Sequence, residues 1–100
     1  MMAILHIVSK HLNQDGLRNL VERSGQSDAY IFMDDGVYVL LSPDFKALVN
    51  AMDNTVRPIY IMTKDARERG IMNNNYHQVR LINMADLVRL TSTYTSSISW

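Results

Sequence analysis

Ala29-Tyr30-Ile31-Phe32-Met33-Asp34-Asp35-Gly36 is the stretch that decides the fold. Its apolar half is short, aromatic and β-branched, and it reads as a strand buried on both faces. The run breaks at once on Asp34-Asp35-Gly36, where aspartate side chains cap and glycine turns the chain. A strand of this kind needs helices above and below it, and the flanking sequence supplies them.

Before it, residues 3–8 form a first apolar strand followed by a polar exit loop. Asp15 is placed to cap a helix carrying Leu17, Leu20 and Val21 on one face, with Gly25 stopping it in a left-handed conformation. After it, residues 37–41 have strand propensity, but their place between a turn and Ser42-Pro43 favours a short helix. Ser42-Pro43-Asp44 then starts a further helix with Phe45, Leu48, Val49 and Met52 at helical spacing.

Residues 58–62 make a third strand, and residues 63–70 make one or two helical turns closed by Gly70. Asn73-Asn74-Asn75 is a loop, and residues 79–82 make a fourth strand. Asn83 caps a last helix with Met84, Leu87, Val88 and Thr91 on one face. The Ser/Thr-rich residues 91–99 are irregular or an edge strand ending at Trp100. Alternating strands and helices of this kind predict one domain over residues 1–100, a three-layer α/β/α fold around a mostly parallel sheet of four to five strands.

Composition narrows the function. The chain of 100 residues is 47% hydrophobic and carries ten basic against ten acidic residues, so there is no polybasic surface for nucleic acid or anionic membrane. No apolar run approaches the ~20 residues that cross a bilayer, and the opening residues have no basic leader, so a cytoplasmic chain is expected. There is no cysteine, which excludes disulfides, thiolate metal sites and thiol nucleophiles on this chain.

Few residues carry chemistry. Asp34 and Asp35 at the end of one strand, with Lys64 at the end of the next, resemble the acidic pocket and lysine of phosphoacceptor receiver domains; the alternative is that the aspartates simply cap a helix. His6 lies inside a strand and reads as a hydrogen-bonded core or interface residue, while His11 and His77 lie in loops, so no metal site or other cofactor is expected. The glycine-rich loop of a phosphate site and the Gly-x-Ser-x-Gly elbow of a serine hydrolase are both missing. What remains suits contact: Arg outnumbers Lys seven to three, Met is frequent, and a large aromatic at Trp100 is expected to dock on the body or on a neighbour.

Five segments together resemble the DsrH/TusB family of sulfur-relay subunits. They are Ile4-Leu5-His6-Ile7-Val8-Ser9-Lys10, Phe32-Met33-Asp34-Asp35-Gly36-Val37-Tyr38, Lys64-Asp65-Ala66-Arg67-Glu68-Arg69-Gly70, Ala85-Asp86-Leu87-Val88-Arg89-Leu90-Thr91 and the closing Trp100. The resemblance implies a DsrEFH-like fold and a cytoplasmic complex with TusC/DsrF-like and TusD/DsrE-like chains as a dimer of heterotrimers. It further implies relay of persulfide sulfur towards 2-thiolation of the tRNA wobble uridine or, in the related branch, a part in dissimilatory sulfur oxidation. On the family pattern Asp35, Gly36, Val37, Tyr38 and Arg67 lie near the contact surface with partners. Some DsrH members carry a cysteine in the helix after the first strand, where this chain reads Leu17-Arg18-Asn19-Leu20-Val21. Without a thiolate the chain cannot hold persulfide sulfur, so the resemblance implies a non-catalytic structural subunit that does not itself grip tRNA.

Overall fold

The computed structural model describes residues 3–25, 27–51, 57–71 and 79–100. Strands β1 (Ile4–Val8), β2 (Ala29–Phe32), β3 (Ile59–Met62), β4 (Val79–Ile82) and β5 (Ser96–Ser99) form one sheet in the order β4-β3-β2-β1-β5, with every neighbouring pair parallel. Parallel neighbours require crossovers. These are α1 (Gln14–Glu22), a 3-10 helix (Asp34–Leu41) running into α2 (Pro43–Ala51), α3 (Thr63–Glu68) and α4 (Met84–Thr93). The last crossover carries the chain from β4 at one edge to β5 at the other.

Because side chains alternate across a strand, the register sorts the core into two faces. His6, Tyr30 and Ile59 lie side by side on one face, and Leu5 and Ala29 on the other. The larger core joins Val8, Tyr30, Phe32, Ile59 and Ile61 to Leu17 and Leu20 of α1, Val37 and Val39 of the 3-10 helix, Phe45 and Val49 of α2, and Ala66 of α3. At its centre Phe32 and Phe45 meet edge to face, with ring centroids 5.7 Å apart. Such a pair contributes about 0.5–1.5 kcal/mol beyond its burial. The smaller core places Leu5, Ala29, Ile31, Met62 and Ile82 under Leu87, Leu90 and Tyr94. Helices thus cover both faces, giving the expected three layers.

Local chemistry sets the boundaries, and in places differs from the expectation. Asn13, not Asp15, caps α1, its side chain accepting from the Gly16 N–H at 2.9 Å while Asp15 sits in the first turn. Both arrangements favour the positive helix end, and extended backbone at Asn13 selects it as the cap. The helix closes at Arg23 in a right-handed conformation; Gly25 is not left-handed and instead donates its N–H to Asp28. Residues 37–41 are helical as expected, and Gly70 turns the chain after α3 with φ of 71°. On α4 the seam on the sheet is Leu87 and Leu90, whereas Met84 and Val88 face outwards. The expected Met52 and Asn73-Asn74-Asn75, like His77, fall outside the described residues.

Candidate functional site

Among the described residues the buried polar side chains are His6 and Asp28, at 1% and 3% exposure. They face each other because β1 and the segment entering β2 run side by side, and His6 Nε2 lies 2.8 Å from Asp28 Oδ2. On the other side of the ring, the Trp100 indole Nε1–H donates to His6 Nδ1 at 3.1 Å. An indole nitrogen only donates, so Nδ1 accepts, Nε2 carries the proton towards Asp28, and the imidazole is neutral.

Asp28 accepts more than the histidine proton. The backbone N–H groups of Gly25 and Ile4 donate to it at 2.9 and 3.0 Å. Burial pushes its carboxyl upwards, but the Gly25 amide, the His6 ring and the Ile4 amide together outweigh burial and hold it below the usual carboxylate range. Tyr30 stacks on the imidazole at 5.5 Å, and its hydroxyl accepts from Arg57 Nη1 at 3.1 Å. The constellation orients an imidazole with a carboxylate, and among the described residues the group bonded to the other ring nitrogen is the Trp100 indole. The ring so oriented holds Trp100 against the body of the chain.

The second polar feature lies at the carboxyl ends of the strands, where open α/β sheets place their sites. Here the 3-10 helix passes so close to β1 that a Cβ on Gly36 would lie 2.2 Å from the Val8 carbonyl oxygen. Asp34 takes up a left-handed conformation with φ of 49°, and its N–H donates to Asp65 at 2.7 Å. Arg69 closes the arrangement, donating to Asp35 at 3.1 Å and to the Asp65 carbonyl at 3.2 Å. These bonds staple α3 to the 3-10 helix. Beside them is an open cleft lined by Met33, Met62 and Met84 together with Asp34, Lys64, Arg67 and Asn83.

Of the receiver-like trio, Asp34 and Lys64 line the same cleft, and Asp35 is drawn away from it. Asp35 turns to Arg69, the Asp34 backbone to Asp65, and Lys64 lies 3.9 Å from Glu68 on its own helix. Among the described residues no group of three or more histidine, aspartate or glutamate side chains is placed to hold a metal ion. Among the residues expected near a partner, Asp35 and Arg67 are exposed and Tyr38 is half-buried, its ring 5.9 Å from that of His11. Gly36 and Val37 are buried beneath them, and Trp100 docks on the chain's own body. Asp28, Asp65 and Arg69 escaped the sequence reading as a group: each contact joins residues more than twenty positions apart or uses a backbone atom.

Exposed apolar side chains mark the surface: Leu41 at the end of the 3-10 helix, and Met84 and Val88 one turn apart on α4. None of the helices among the described residues is long and apolar enough to cross a membrane.

Comparison with known proteins places this arrangement. A family model described as DsrH like protein matches residues 11–97. The fold is similar to the crystal structure of the ychN protein from E. coli, with a TM-score of 0.77 at 13% identity over 100% of both chains. It is also similar to the solution structure of protein Tm0979 from Thermotoga maritima, with a TM-score of 0.55 at 18% identity over 92% of this chain and 93% of that one. No curated protein matches the sequence.

Proposed function

The chain belongs to the DsrH family of small sulfur-relay subunits, and from that premise we propose that it is the non-catalytic scaffold of a TusBCD/DsrEFH-like complex that passes persulfide sulfur towards the tRNA wobble uridine. The observation that carries this reading is the family match over residues 11–97 in a chain without a single cysteine. Sulfur relay proceeds by attack of a thiolate on a persulfide, and the sulfur must rest on a thiol between steps. Here a partner of the TusD/DsrE type supplies that thiol, a TusC/DsrF-like chain completes the heterotrimer, and two heterotrimers associate in the cytoplasm.

The surface supports assembly. Leu41, Val88 and Met84 are 67%, 58% and 57% exposed, large apolar side chains that an isolated chain leaves in water. Asp35, Tyr38 and Arg67 offer a polar and aromatic patch above the rigid turn at Gly36, the mixture of charge and aromatic area that interfaces favour. A net charge of zero fits a subunit that leaves tRNA to other chains.

Co-expression with TusC-like and TusD-like chains, followed by size exclusion, tests the reading. The expected outcome is a single species containing all three, whose persulfide label is found on the TusD-like chain alone and whose loss in a deletion strain abolishes wobble-uridine thiolation. A chain that elutes alone as a monomer, or a deletion strain with normal thiolation, would overturn it.

A further inference from the structure

We propose that the hydrogen bond from Trp100 to His6 is a proton-gated clasp that fastens β5 to the edge of the sheet, closed while the imidazole is neutral and opened by its protonation. The strand it fastens has little else to hold it. All four residues of β5 are exposed, and among residues 95–100 only Trp100 reaches partial burial. The rest of the attachment is the parallel ladder to β1, extended by the Trp100 N–H donating to the Ile7 carbonyl at 2.8 Å and the Ser9 N–H to the Trp100 carbonyl at 3.4 Å. A solvated ladder contributes little by itself, so the indole is the anchor.

The anchor depends on a lone pair. Among the described residues the indole N–H bonds to Nδ1, and a protonated imidazole presents N–H at both nitrogens. Two donors then face each other 3.1 Å apart, beside a ring that is 1% exposed. A buried donor left without an acceptor costs about 1–3 kcal/mol, and the indole escapes that cost by leaving.

The groups around His6 make the proton welcome on its other side. Asp28, in the segment entering β2, lies against Nε2 and is kept ionised by the Gly25 and Ile4 amides. From β2 the neutral Tyr30 ring stacks on the imidazole, and ahead of β3 the Arg57 guanidinium reaches only the far end of that ring, at its hydroxyl. From β5 the sole group is Trp100. Protonation therefore converts a neutral contact with Asp28 into an ion pair, and the group it displaces is Trp100. Release of β5 bares the backbone edge of β1.

Trp100 is the only tryptophan, so indole signals report the clasp alone. The test follows the full chain from about pH 8 to about pH 5. Three signals are read: indole N–H exchange by NMR, tryptophan emission with acrylamide quenching, and the His6 ring protons, with far-UV circular dichroism as a check on the fold. The indole N–H is expected to exchange slowly at high pH and rapidly at low pH, with red-shifted emission and greater acrylamide access, at the pH where His6 titrates and with circular dichroism largely retained. In Trp100→Phe, which keeps a ring but removes the donor opposing the proton, His6 titrates at higher pH than in the wild type. His6→Gln, neutral throughout, keeps its emission independent of pH. The proposal is overturned if the indole stays protected while His6 titrates, if His6 does not titrate in this range, or if Trp100→Phe leaves its midpoint unmoved.

Discussion

Gly36 and Gly70 are both needed as glycine, for different reasons, and the difference sets what one added methyl group does at each. At Gly36 the obstacle is backbone: the Val8 carbonyl oxygen is 2.2 Å from where a Cβ would sit, so a side chain there must displace main chain. Gly70 has open space around it, and only its φ of 71° disfavours a side chain. Gly36→Ala is expected to lower stability by about 3 kcal/mol, at the upper end of overpacking costs, and Gly70→Ala by about 1 kcal/mol, measured by urea unfolding. Equal losses at the two sites would show that the close approach at Val8 relaxes freely.

Asp28 makes the second residue-scale prediction. Its folded carboxyl titrates below the ordinary value, so its contribution is fully present above about pH 4 and fades as pH falls below that. Asp28→Asn removes this part of the acid dependence of stability. Asp28→Ala strands the His6 ring and the Gly25 and Ile4 amides, and is expected to cost about 3 kcal/mol at neutral pH. His6 was legible as a hydrogen-bonded core histidine from its place inside an apolar strand. Its partner was not, because nothing in Ser27-Asp28-Ala29 distinguishes a buried carboxylate from an ordinary turn residue.

At the scale of elements, the cap of α4 is local and was readable. Asn83 and Asp86 satisfy each other's backbone N–H groups at the start of α4 in a capping box, with Arg89 bonded to Asp86 one turn on. Asn83→Ala is expected to cost about 1 kcal/mol, seen as a fall in the urea midpoint with unchanged slope. Which stripe of α4 meets the sheet was not readable. Met84, Leu87, Val88 and Thr91 and the pair Leu87 and Leu90 are both helically spaced, and only the position of the sheet beneath selects the second. The same holds for α1, where Asn13 and Asp15 are both competent caps and the path of the chain leaving β1 chooses between them.

At the scale of the whole molecule, the described residues form two cores of unequal size, and that inequality predicts where damage is felt. Phe45→Ala, in the larger core, is expected to cost about 3–5 kcal/mol. Val88→Ala on the outer side of α4 is expected to fall within about 0.5 kcal/mol. If Val88 and Met84 serve assembly, their replacement by lysine leaves the thermal midpoint of the isolated chain nearly unchanged and weakens co-elution with the sister chains; unchanged co-elution assigns the interface elsewhere.

By itself the sequence determined the alternation of strands and helices, the parallel sheet that continuous apolar strands require, and the exclusion of thiol chemistry from this chain, because composition and local periodicity are properties of the chain alone. Tertiary structure alone decided the sheet order, with β5 returning to the edge beside β1, the approach that forces glycine at Gly36, and the meeting of His6 with Asp28 and Trp100. Those contacts join residues 22 and 94 positions apart, and no spacing rule reaches that far. They exist because parallel strands, each joined by a crossover, lay distant segments side by side.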